Sequence, residues 1–379
     1  MPAPYATEKS IVTVDLRLCC YCGGCVSLCP VGALELAETR LIVGEGCIDC
    51  GACLAACPVG ALSAGPAPAE PSPGSWAGGP VAPRYDVVVA GAGPAGATAA
   101  WQAAQLGLSV LLLEKRQEIG SPVRCAEGVA HAPLSEFLEP DPAWIAARVG
   151  RAQIVARAGG REVGRWQGEG GLGYVLERRL FDRALAERAA RAGAQVRVKA
   201  PVTALLRAGG RVRGVVARLD GRAVEVGVVV AADGVESRLG AWAGLDTQLP
   251  PADTMVCAQY LLAGIDWDPG CLGYWIDDDL TPGGYAWVFP KGEGRANVGL
   301  GLQAGLGRET ALACLQRFVE REPALSAGCA VTLVAGNVPV ALPCRRLVTA
   351  GLLLAGDAAR QVDPLTGGGI LNAMLAGPG

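Results

Sequence analysis

The sequence contains no stretch that could cross a membrane as a helix. A spanning helix needs about 20 consecutive apolar residues, whereas the longest apolar runs, Val226–Ala232 and Leu347–Gly356, have the length of a strand. The first residues, Met1–Lys9, lack the basic region and apolar run of a secretory signal. We therefore expect a cytoplasmic protein, and a peripheral contact with a membrane stays open.

Strong charge of either sign is also absent. The net charge of −3 over 379 residues provides no electrostatic attraction for nucleic acid. We therefore predict no nucleic-acid partner. Histidine is nearly absent as well, and we expect a surface or loop role for the one histidine, His131.

Cysteine, in contrast, is abundant. Of 15 cysteines, eight fall in two runs of the form C-x2-C-x2-C-x3-C-P near the start of the chain. These eight are Cys19, Cys22, Cys25, Cys29, Cys47, Cys50, Cys53 and Cys57. Since no export signal precedes them, a metal function is favoured over disulfides. A zinc site or a metal-free module is the alternative, although zinc sites favour separate CxxC pairs.

The doubled run is typical of two [4Fe–4S] clusters, in which the fourth cysteine of each run ligates the other cluster. This rule predicts one cluster on Cys19, Cys22, Cys25 and Cys57 and a second on Cys47, Cys50, Cys53 and Cys29. The sequence CPVGAL occurs at Cys29–Leu34 and again at Cys57–Leu62. The segment resembles bacterial two-cluster ferredoxins, which implies an α+β ferredoxin-type domain over residues 10–64. A Pro/Gly/Ala-rich linker is predicted over residues 65–83.

A nucleotide-binding pattern follows the predicted linker. A strand over Tyr85–Ala90 leads into Gly91, Gly93 and Gly96, spaced as G-x-G-x-x-G before a helix. The first glycine forms the turn, the second admits a pyrophosphate and the third packs helix on strand. Glu114 ends the next strand, where an acid can bind a ribose hydroxyl. A glycine-rich structural turn is the alternative.

Two later motifs indicate that the dinucleotide is FAD. Gly356-Asp357 with Gly367–Ile370 resembles the second FAD fingerprint of the glutathione-reductase-type flavoproteins, and Ala232-Asp233-Gly234 resembles a fingerprint of their hydroxylase-like branch. The resemblance implies an α/β, Rossmann-like FAD-binding domain. A second G-x-G-x-x-G is absent, so we expect electrons to arrive through the clusters from an external low-potential donor.

Two stretches narrow the family further. Gly120–Gly128 reads GSPVRCAEG and Gly284–Gly301 reads GYAWVFPKGEGRANVGLG. Both resemble the geranylgeranyl reductase family, in particular its archaeal digeranylgeranylglycerophospholipid branch, over about residues 84–376. The resemblance implies flavin contacts at Ala95, Glu114, Arg124, Cys125, Ala126, Gly128, Arg178, Val202, Asp357, Gly369 and Ile370. It also implies that Tyr285, Trp287 and Phe289 line an apolar tunnel for an isoprenoid chain.

The residues alone support these roles less sharply. Alternation along a strand places Tyr285, Trp287 and Phe289 on one face, which suits either an apolar substrate or an ordinary core. Cys125 alone suits a buried small side chain as well as a proton donor. We expect FAD-binding parts at about residues 84–240 and 335–379, around an antiparallel substrate-binding sheet at about residues 241–334.

The predicted activity is saturation of isoprenoid C=C bonds. The clusters would pass single electrons to FAD, which would give a hydride to the alkene while Cys125 or a nearby water supplies the proton. The substrate would be a lipid or a free diphosphate. Alternatives are a carrier like the electron-transfer flavoprotein–quinone oxidoreductases, a flavin monooxygenase, or an inactive shortened product, because the family continues beyond Ala376-Gly377-Pro378-Gly379.

Overall fold

The computed structural model describes residues 12–16, 18–37, 40–65, 81–217 and 223–376. The chain divides into two compact units. The first comprises Met1–Gly79 with Arg218–Arg222, and the second comprises Pro80–Ala217 with Ala223–Gly379. Most of the predicted linker over residues 65–83 lies outside the described residues.

The first unit is built from two similar halves. Its elements are β1 (Val12–Val14), α1 (Gly24–Ser27), β2 (Leu34–Ala37), β3 (Arg40–Val43), α2 (Ala52–Ala56) and β4 (Leu62–Ala64). Strand β1 pairs antiparallel with β4, and β2 with β3. Each short helix follows a left-handed glycine, Gly23 at φ 73° and Gly51 at φ 71°. The backbone conformation therefore repeats with the CPVGAL motif.

The second unit contains sixteen strands in the described ranges. They are β5 (Arg84–Ala90), β6 (Val110–Leu113), β7 (Gly128–Ala130), β8 (Ile145–Ala158), β9 (Arg161–Leu176), β10 (Gln195–Arg197), β11 (Val202–Ala208), β12 (Arg211–Ala217), β13 (Ala223–Ala231), β14 (Thr254–Ala263), β15 (Cys271–Asp277), β16 (Tyr285–Gly292), β17 (Arg295–Gln303), β18 (Cys329–Pro339), β19 (Val348–Thr349) and β20 (Leu352–Leu354). The helices are α3 (Pro94–Gln105), α4 (His131–Ser135), α5 (Arg178–Arg191), α6 (Arg238–Trp242), α7 (Ala311–Arg321), α8 (Pro323–Ser326) and α9 (Ile370–Leu375).

The first sheet of this unit has a Rossmann-like parallel core. Strands β10, β6, β5, β13 and β20 lie side by side and parallel. The other end of β13 pairs antiparallel with β12, which pairs with β11. Helix α3 begins at Pro94, whose fixed φ suits the first helical position. Its many alanines pack closely on the sheet beside Val89, Leu112 and Val230. The predicted strand–helix–strand arrangement is confirmed.

The second sheet has eight strands in the order β18-β14-β17-β16-β15-β8-β9-β7. It is mixed and not purely antiparallel as predicted, because β15 and β8 run parallel. The prediction that residues 84–240 belong to the FAD-binding part is wrong for residues 145–176, which form the β8–β9 hairpin of this sheet. Alternation identifies a strand but carries no information about which sheet the strand joins. One face of this sheet packs against α7 through Val298, Leu300 and Phe318.

Among the described residues, no helix is both long enough and apolar enough to traverse a bilayer.

Candidate active site and cluster-binding module

The structure sorts the motif cysteines into the two sets that the spacing predicts. One cavity of the first unit is lined by Cys19, Cys22, Cys25 and Cys57, together with Cys20. The other is lined by Cys29, Cys47, Cys50 and Cys53. Among the described residues, no three His, Cys, Asp or Glu side chains converge closely enough to hold a single metal ion. In each set the cysteines line one common space.

Cys29 and Cys57, which each line the cavity of the other run, have equivalent surroundings. The amide of Ala33 donates to Cys29 Sγ at 3.2 Å, and the amide of Ala61 donates to Cys57 Sγ at 3.1 Å. Burial, followed by the nearby thiols including Cys57, raises the pKa of Cys25. Backbone amides that point at sulfur are the groups that tune a cluster potential. The two cavities therefore present similar amide donors.

The glycine turn of the second unit has the geometry that a dinucleotide requires. A Cβ on Gly91 would lie 2.1 Å from the carbonyl oxygen of Ala232, and one on Gly96 would lie 1.9 Å from the carbonyl oxygen of Gly91. A Cβ on Gly93 would meet nothing within 4 Å. Space is thus left open at the N-terminus of α3, where backbone amides and the helix dipole favour a phosphate. This open cradle fits the pyrophosphate of FAD.

The carboxylate of Glu114 braces this turn. Its Oε2 accepts from the amide of Ala92 at 3.0 Å, and its Oε1 accepts from the amide of Arg116 at 2.9 Å. The amide of Ala200 donates to the Glu114 carbonyl at 2.8 Å, so Val202 begins β11 only two residues from this contact. The structure therefore places Val202 and Glu114 in the same neighbourhood.

The predicted second fingerprint approaches the same helix. Gly356 has φ 69°, and a Cβ there would lie 2.8 Å from the Cβ of Ala95. Asp357 lies in a short 3-10 turn, and a Cβ on Gly369 would lie 3.4 Å from its Oδ1. Ile370 begins α9. The structure thus brings the fingerprint into contact with Ala95, although Ala95 and Gly356 lie more than 250 positions apart in the chain.

Arg178 connects this fingerprint to the cysteine segment. Its guanidinium forms two hydrogen bonds with Asp182, at 2.7 and 2.9 Å. Burial raises the pKa of the Asp357 carboxyl, and the charge of Arg178 partly opposes that rise. Burial likewise raises the pKa of Cys125, again opposed by Arg178. These opposed effects leave the pKa of Cys125 above its ordinary value, which favours the protonated thiol.

The segment Arg124–Gly128 lies against the second sheet. Gln259 Nε2 donates to the carbonyl of Cys125 at 3.0 Å. Exposed Arg124 packs its aliphatic stem near Gly336, with Cδ 3.5 Å from the position of a Cβ there. A Cβ on Gly128 would lie 2.6 Å from the ring of Phe289. Only glycine allows the ring to approach this closely.

The three predicted aromatic residues share one face of β16. Trp287 and Phe289 are buried, and Tyr285 is half-buried in the same cluster with Ala126. The Trp287 Nε1 donates to Gln259 Oε1 at 2.9 Å. The Tyr285 hydroxyl donates to the carbonyl of Thr366. Residues Ala286 and Val288 point the opposite way into the α7 core. The expected alternation is confirmed.

The strand register extends this face as a row across the sheet, which we call the apolar row. It contains Gln259, Gly299, Trp287, Tyr274, Ile154 and Trp166, each opposite the next on adjacent strands. Five strand spacings give a length of about 24 Å. Trp166 at its far end is 50% exposed and Ile154 is 39% exposed. The row therefore runs from buried positions beside the Cys125 segment to exposed apolar side chains at the edge of the hairpin.

Four polar residues of the site were not predicted. Glu127, Lys291 and Asn297 are each at least 95% buried, and Lys291 and Asn297 both donate to the Glu127 carboxylate. Gln259 joins Cys125 to Trp287. Lys291 carries the one available sequence signal, because it is a charged residue directly after an apolar strand motif. Their partners lie too far away in sequence for any local pattern to connect them.

His131 differs from its expected loop position. It begins α4 and is half-buried, and its Nδ1 lies 2.7 Å from the Tyr174 hydroxyl. No local pattern indicates this tyrosine partner, which lies 43 residues away.

The chain matches three family models. Residues 253–338 match the geranylgeranyl reductase catalytic domain, residues 86–149 match an FAD-binding domain, and residues 11–61 match a 4Fe–4S dicluster domain. Among solved structures, a geranylgeranyl bacteriochlorophyll reductase-like protein from Thermoplasma acidophilum is 42% identical, with a TM-score of 0.73 over 78% of this chain and 76% of that one. A flavin-dependent brominase, 19% identical with a TM-score of 0.64, shares the fold alone.

Curated relatives are more similar still. The digeranylgeranylglycerophospholipid reductase of Methanothrix thermoacetophila is 53% identical over 300 residues, which cover 78% of this chain and 76% of that protein. The reductase of the same name from Methanosarcina acetivorans is 50% identical over 299 residues, covering 77% and 73%. With these matches spread over the glycine turn, the cysteine segment and the aromatic strand, the chain belongs to the digeranylgeranylglycerophospholipid reductase family of FAD-binding oxidoreductases, here with an N-terminal 4Fe–4S dicluster domain.

Proposed function

We propose that this chain saturates C=C bonds in the geranylgeranyl chains of glycerophospholipids, using electrons that enter through two [4Fe–4S] clusters. The observation that carries the proposal is the apolar row, which begins beside Cys125 and extends over about 24 Å. A long unsaturated hydrocarbon is bound mainly through buried apolar area. A small polar substrate would leave most of this row unused.

The FAD site is assigned to the open cradle, in a domain of the glutathione-reductase type. Gly91, Gly93 and Gly96 would hold the pyrophosphate at the N-terminus of α3, and Glu114 would face the ribose. The other assigned contacts are Ala95, Arg124, Cys125, Ala126, Gly128, Arg178, Val202, Asp357, Gly369 and Ile370. When bound, FAD supplies two-electron transfer to a carbon–carbon double bond, a reaction that no amino-acid side chain performs.

The cluster ligands are assigned to the two cavity-lining sets. Cys19, Cys22, Cys25 and Cys57 would hold one cluster, and Cys29, Cys47, Cys50 and Cys53 the other. Thiolates in this arrangement hold one-electron carriers, so the first unit is suited to receive electrons from an external low-potential donor.

The substrate residues have separate tasks. Tyr285, Trp287 and Phe289 would contact the prenyl chain and exclude water from the double bond. Cys125 would donate a proton to one carbon of the double bond while the other carbon receives the hydride, because burial raises the pKa of its thiol and so favours the protonated form. The exposed end at Ile154 and Trp166 would admit the lipid, and we assign peripheral membrane contact to the same edge.

Anaerobic turnover tests the proposal. Protein reconstituted with FAD, iron and sulfide is reduced chemically and mixed with digeranylgeranylglycerophospholipid, and the lipid is then weighed by mass spectrometry. We expect mass gains in steps of one hydrogen pair. Menaquinone in place of the lipid tests the quinone oxidoreductase alternative. Flavin reoxidation by menaquinone, with unchanged lipid mass, would replace the proposed function with electron carriage.

A further inference from the structure

A buried ion pair lies directly behind the Cys125 segment. Glu127 Oε2 accepts from Lys291 Nζ at 2.7 Å and from Asn297 Nδ2 at 2.6 Å. The side chains of Lys291 and Glu127 are only 4% and 5% exposed. Charges removed from water to this degree persist only where they are paired and hydrogen-bonded. Neither has a part in the reaction described above.

The pair is anchored on both sides. Glu127 Oε1 accepts from the amide of Arg178 at 2.7 Å. Lys291 Nζ also donates to the carbonyl of Leu176 at 2.5 Å and lies 3.0 Å from Glu177 Oε1. Every partner is therefore part of the β9–α5 junction or of the second sheet.

Each residue of the segment Cys125–Gly128 is held by a side chain of that sheet. Gln259 bonds the carbonyl of Cys125, and Asn297 Nδ2 bonds the carbonyl of Ala126 at 3.2 Å. Lys291 and Asn297 bond the carboxylate of Glu127, and Phe289 covers Gly128. The thiol is included in this arrangement, since the amide of Glu127 donates to Cys125 Sγ at 3.2 Å.

The backbone of Glu127 is held in an unfavourable conformation. Its φ is 74°, in the left-handed region that residues with a Cβ rarely adopt. Such a conformation persists only where the surrounding structure over-determines it. Here the surroundings are the ion pair and the Asn297 bond, because they fix the Glu127 side chain.

We propose that Lys291, Glu127 and Asn297 are positioning residues that fix the Cys125 thiol between the FAD site and the aromatic strand. This inference rests on the proposed function only in one respect, namely that the thiol serves the reduction of the lipid. Without the pair, Glu127 is free to leave its left-handed conformation, and the amide bond to the Cys125 sulfur is lost with it.

The test uses the full chain reconstituted with FAD and clusters. Variants Lys291→Met and Glu127→Gln each remove one charge, Lys291→Arg keeps the positive charge, and a double variant removes both charges. The first measurement is the iodoacetamide alkylation rate of Cys125 in the folded protein, followed by peptide mass spectrometry. We expect Lys291→Met and Glu127→Gln to change that rate by about 10-fold or more, and Lys291→Arg to restore part of the difference.

The second measurement is turnover. Misplacement of a catalytic group by about 1 Å costs about 100-fold in rate, so we expect kcat to fall by that order in Lys291→Met while KM for the lipid stays within a factor of two. Arg157→Met is the matched control, because it breaks the partly buried pair between Arg157 of β8 and Glu322, which lies between α7 and α8 and makes no contact with the Cys125 segment in the hydrogen bonds described above. It should leave the alkylation of Cys125 and kcat unchanged.

The outcomes separate the two proposals. Wild-type alkylation and wild-type kcat in Lys291→Met would overturn the positioning role, as would equal losses in Arg157→Met. If Lys291→Met does not fold, the uncharged double variant decides, since it leaves no unpaired buried charge and should still alkylate abnormally. Altered alkylation in protein whose wild type never reduces the lipid would leave the positioning role intact and end the proposed function.

Discussion

The proton on Cys125 is the residue-scale feature on which the proposed chemistry depends. Burial raises the pKa of this thiol, and Arg178 limits the rise. An ordinary cysteine titrates at about 8.5. We expect the pH midpoint of Cys125 alkylation to lie above that value in folded protein, because the thiolate is disfavoured. Peptide mass spectrometry after timed alkylation from pH 7 to 11 measures it.

The variant Arg178→Gln tests the direction in which Arg178 shifts the pKa of Cys125. The guanidinium favours the thiolate, so its removal should move the midpoint further upward. Protein unfolded in urea serves as the reference, and there the Cys125 thiols of the wild type and of Arg178→Gln should have the same pH midpoint. A midpoint that moves downward in Arg178→Gln would contradict the assigned electrostatics.

Gly128 offers a steric prediction at the same scale. A Cβ there would lie 2.6 Å from Phe289 Cε2, so Gly128→Ala must displace the ring. We expect a loss of about 1–3 kcal/mol in the free energy of unfolding and a lower turnover of lipid. In the control Gly150→Ala, the new Cβ meets nothing within 4 Å. Denaturant unfolding of both variants gives the comparison, and equal stability would contradict the contact.

At the scale of elements, two glycines of the turn before α3 have different roles, one in folding and one in cofactor binding. Gly96→Ala places a Cβ 1.9 Å from a backbone oxygen and should destabilise the second unit. Gly93→Ala meets open space and should fold normally, yet its methyl group enters the cradle. We expect Gly93→Ala to weaken FAD binding by about 10-fold or more at unchanged thermal stability. Flavin fluorescence titration measures the affinity, and normal FAD binding by Gly93→Ala would remove the cradle from the FAD site.

The elements themselves were largely predictable because their signals are local. The glycine spacing identified the helix α3, which begins at Pro94 within the glycine motif. Alternation identified the shared face of Tyr285, Trp287 and Phe289. Each of these features depends on residues within a few positions of one another.

The pairings that build the site were not predictable in this way. Glu127 bonds Lys291 and Asn297 across 164 and 170 residues. The β8–β9 hairpin joins the second sheet through a parallel contact with β15, which no local pattern encodes. The grouping of Cys57 with the first run and of Cys29 with the second was predictable only because a known rule links the spacing to the partner.

The apolar row makes a prediction for the whole second unit. Trp166→Asp places a charge at the exposed end of the row, far from Cys125. We expect KM for the long-chain lipid to rise by about 10-fold, because apolar contact area is lost, while kcat for a short prenyl alcohol stays unchanged. Val163→Asp, on the same exposed hairpin but outside the row, is the control. Unchanged KM in Trp166→Asp would show that the lipid does not reach this edge.

The first unit makes a prediction about its metal content. Cys29→Ala removes one ligand from the set that contains Cys47, although Cys29 lies in the other run. We expect this variant to retain about four of eight irons. Cys20→Ala should retain all of them, since Cys20 is outside both predicted ligand sets. Iron and sulfide analysis after anaerobic reconstitution gives the counts, and a full complement in Cys29→Ala would contradict the assignment of Cys29 as a cluster ligand.

The repeated backbone of the first unit has a consequence for how it can be divided. Each half contributes three cysteines to one cavity and lends its fourth to the other. Neither half on its own therefore provides the four cysteines that line a cavity, so each half needs the other to complete its set. Separately expressed halves should remain colourless alone and become brown only when they are mixed with iron and sulfide.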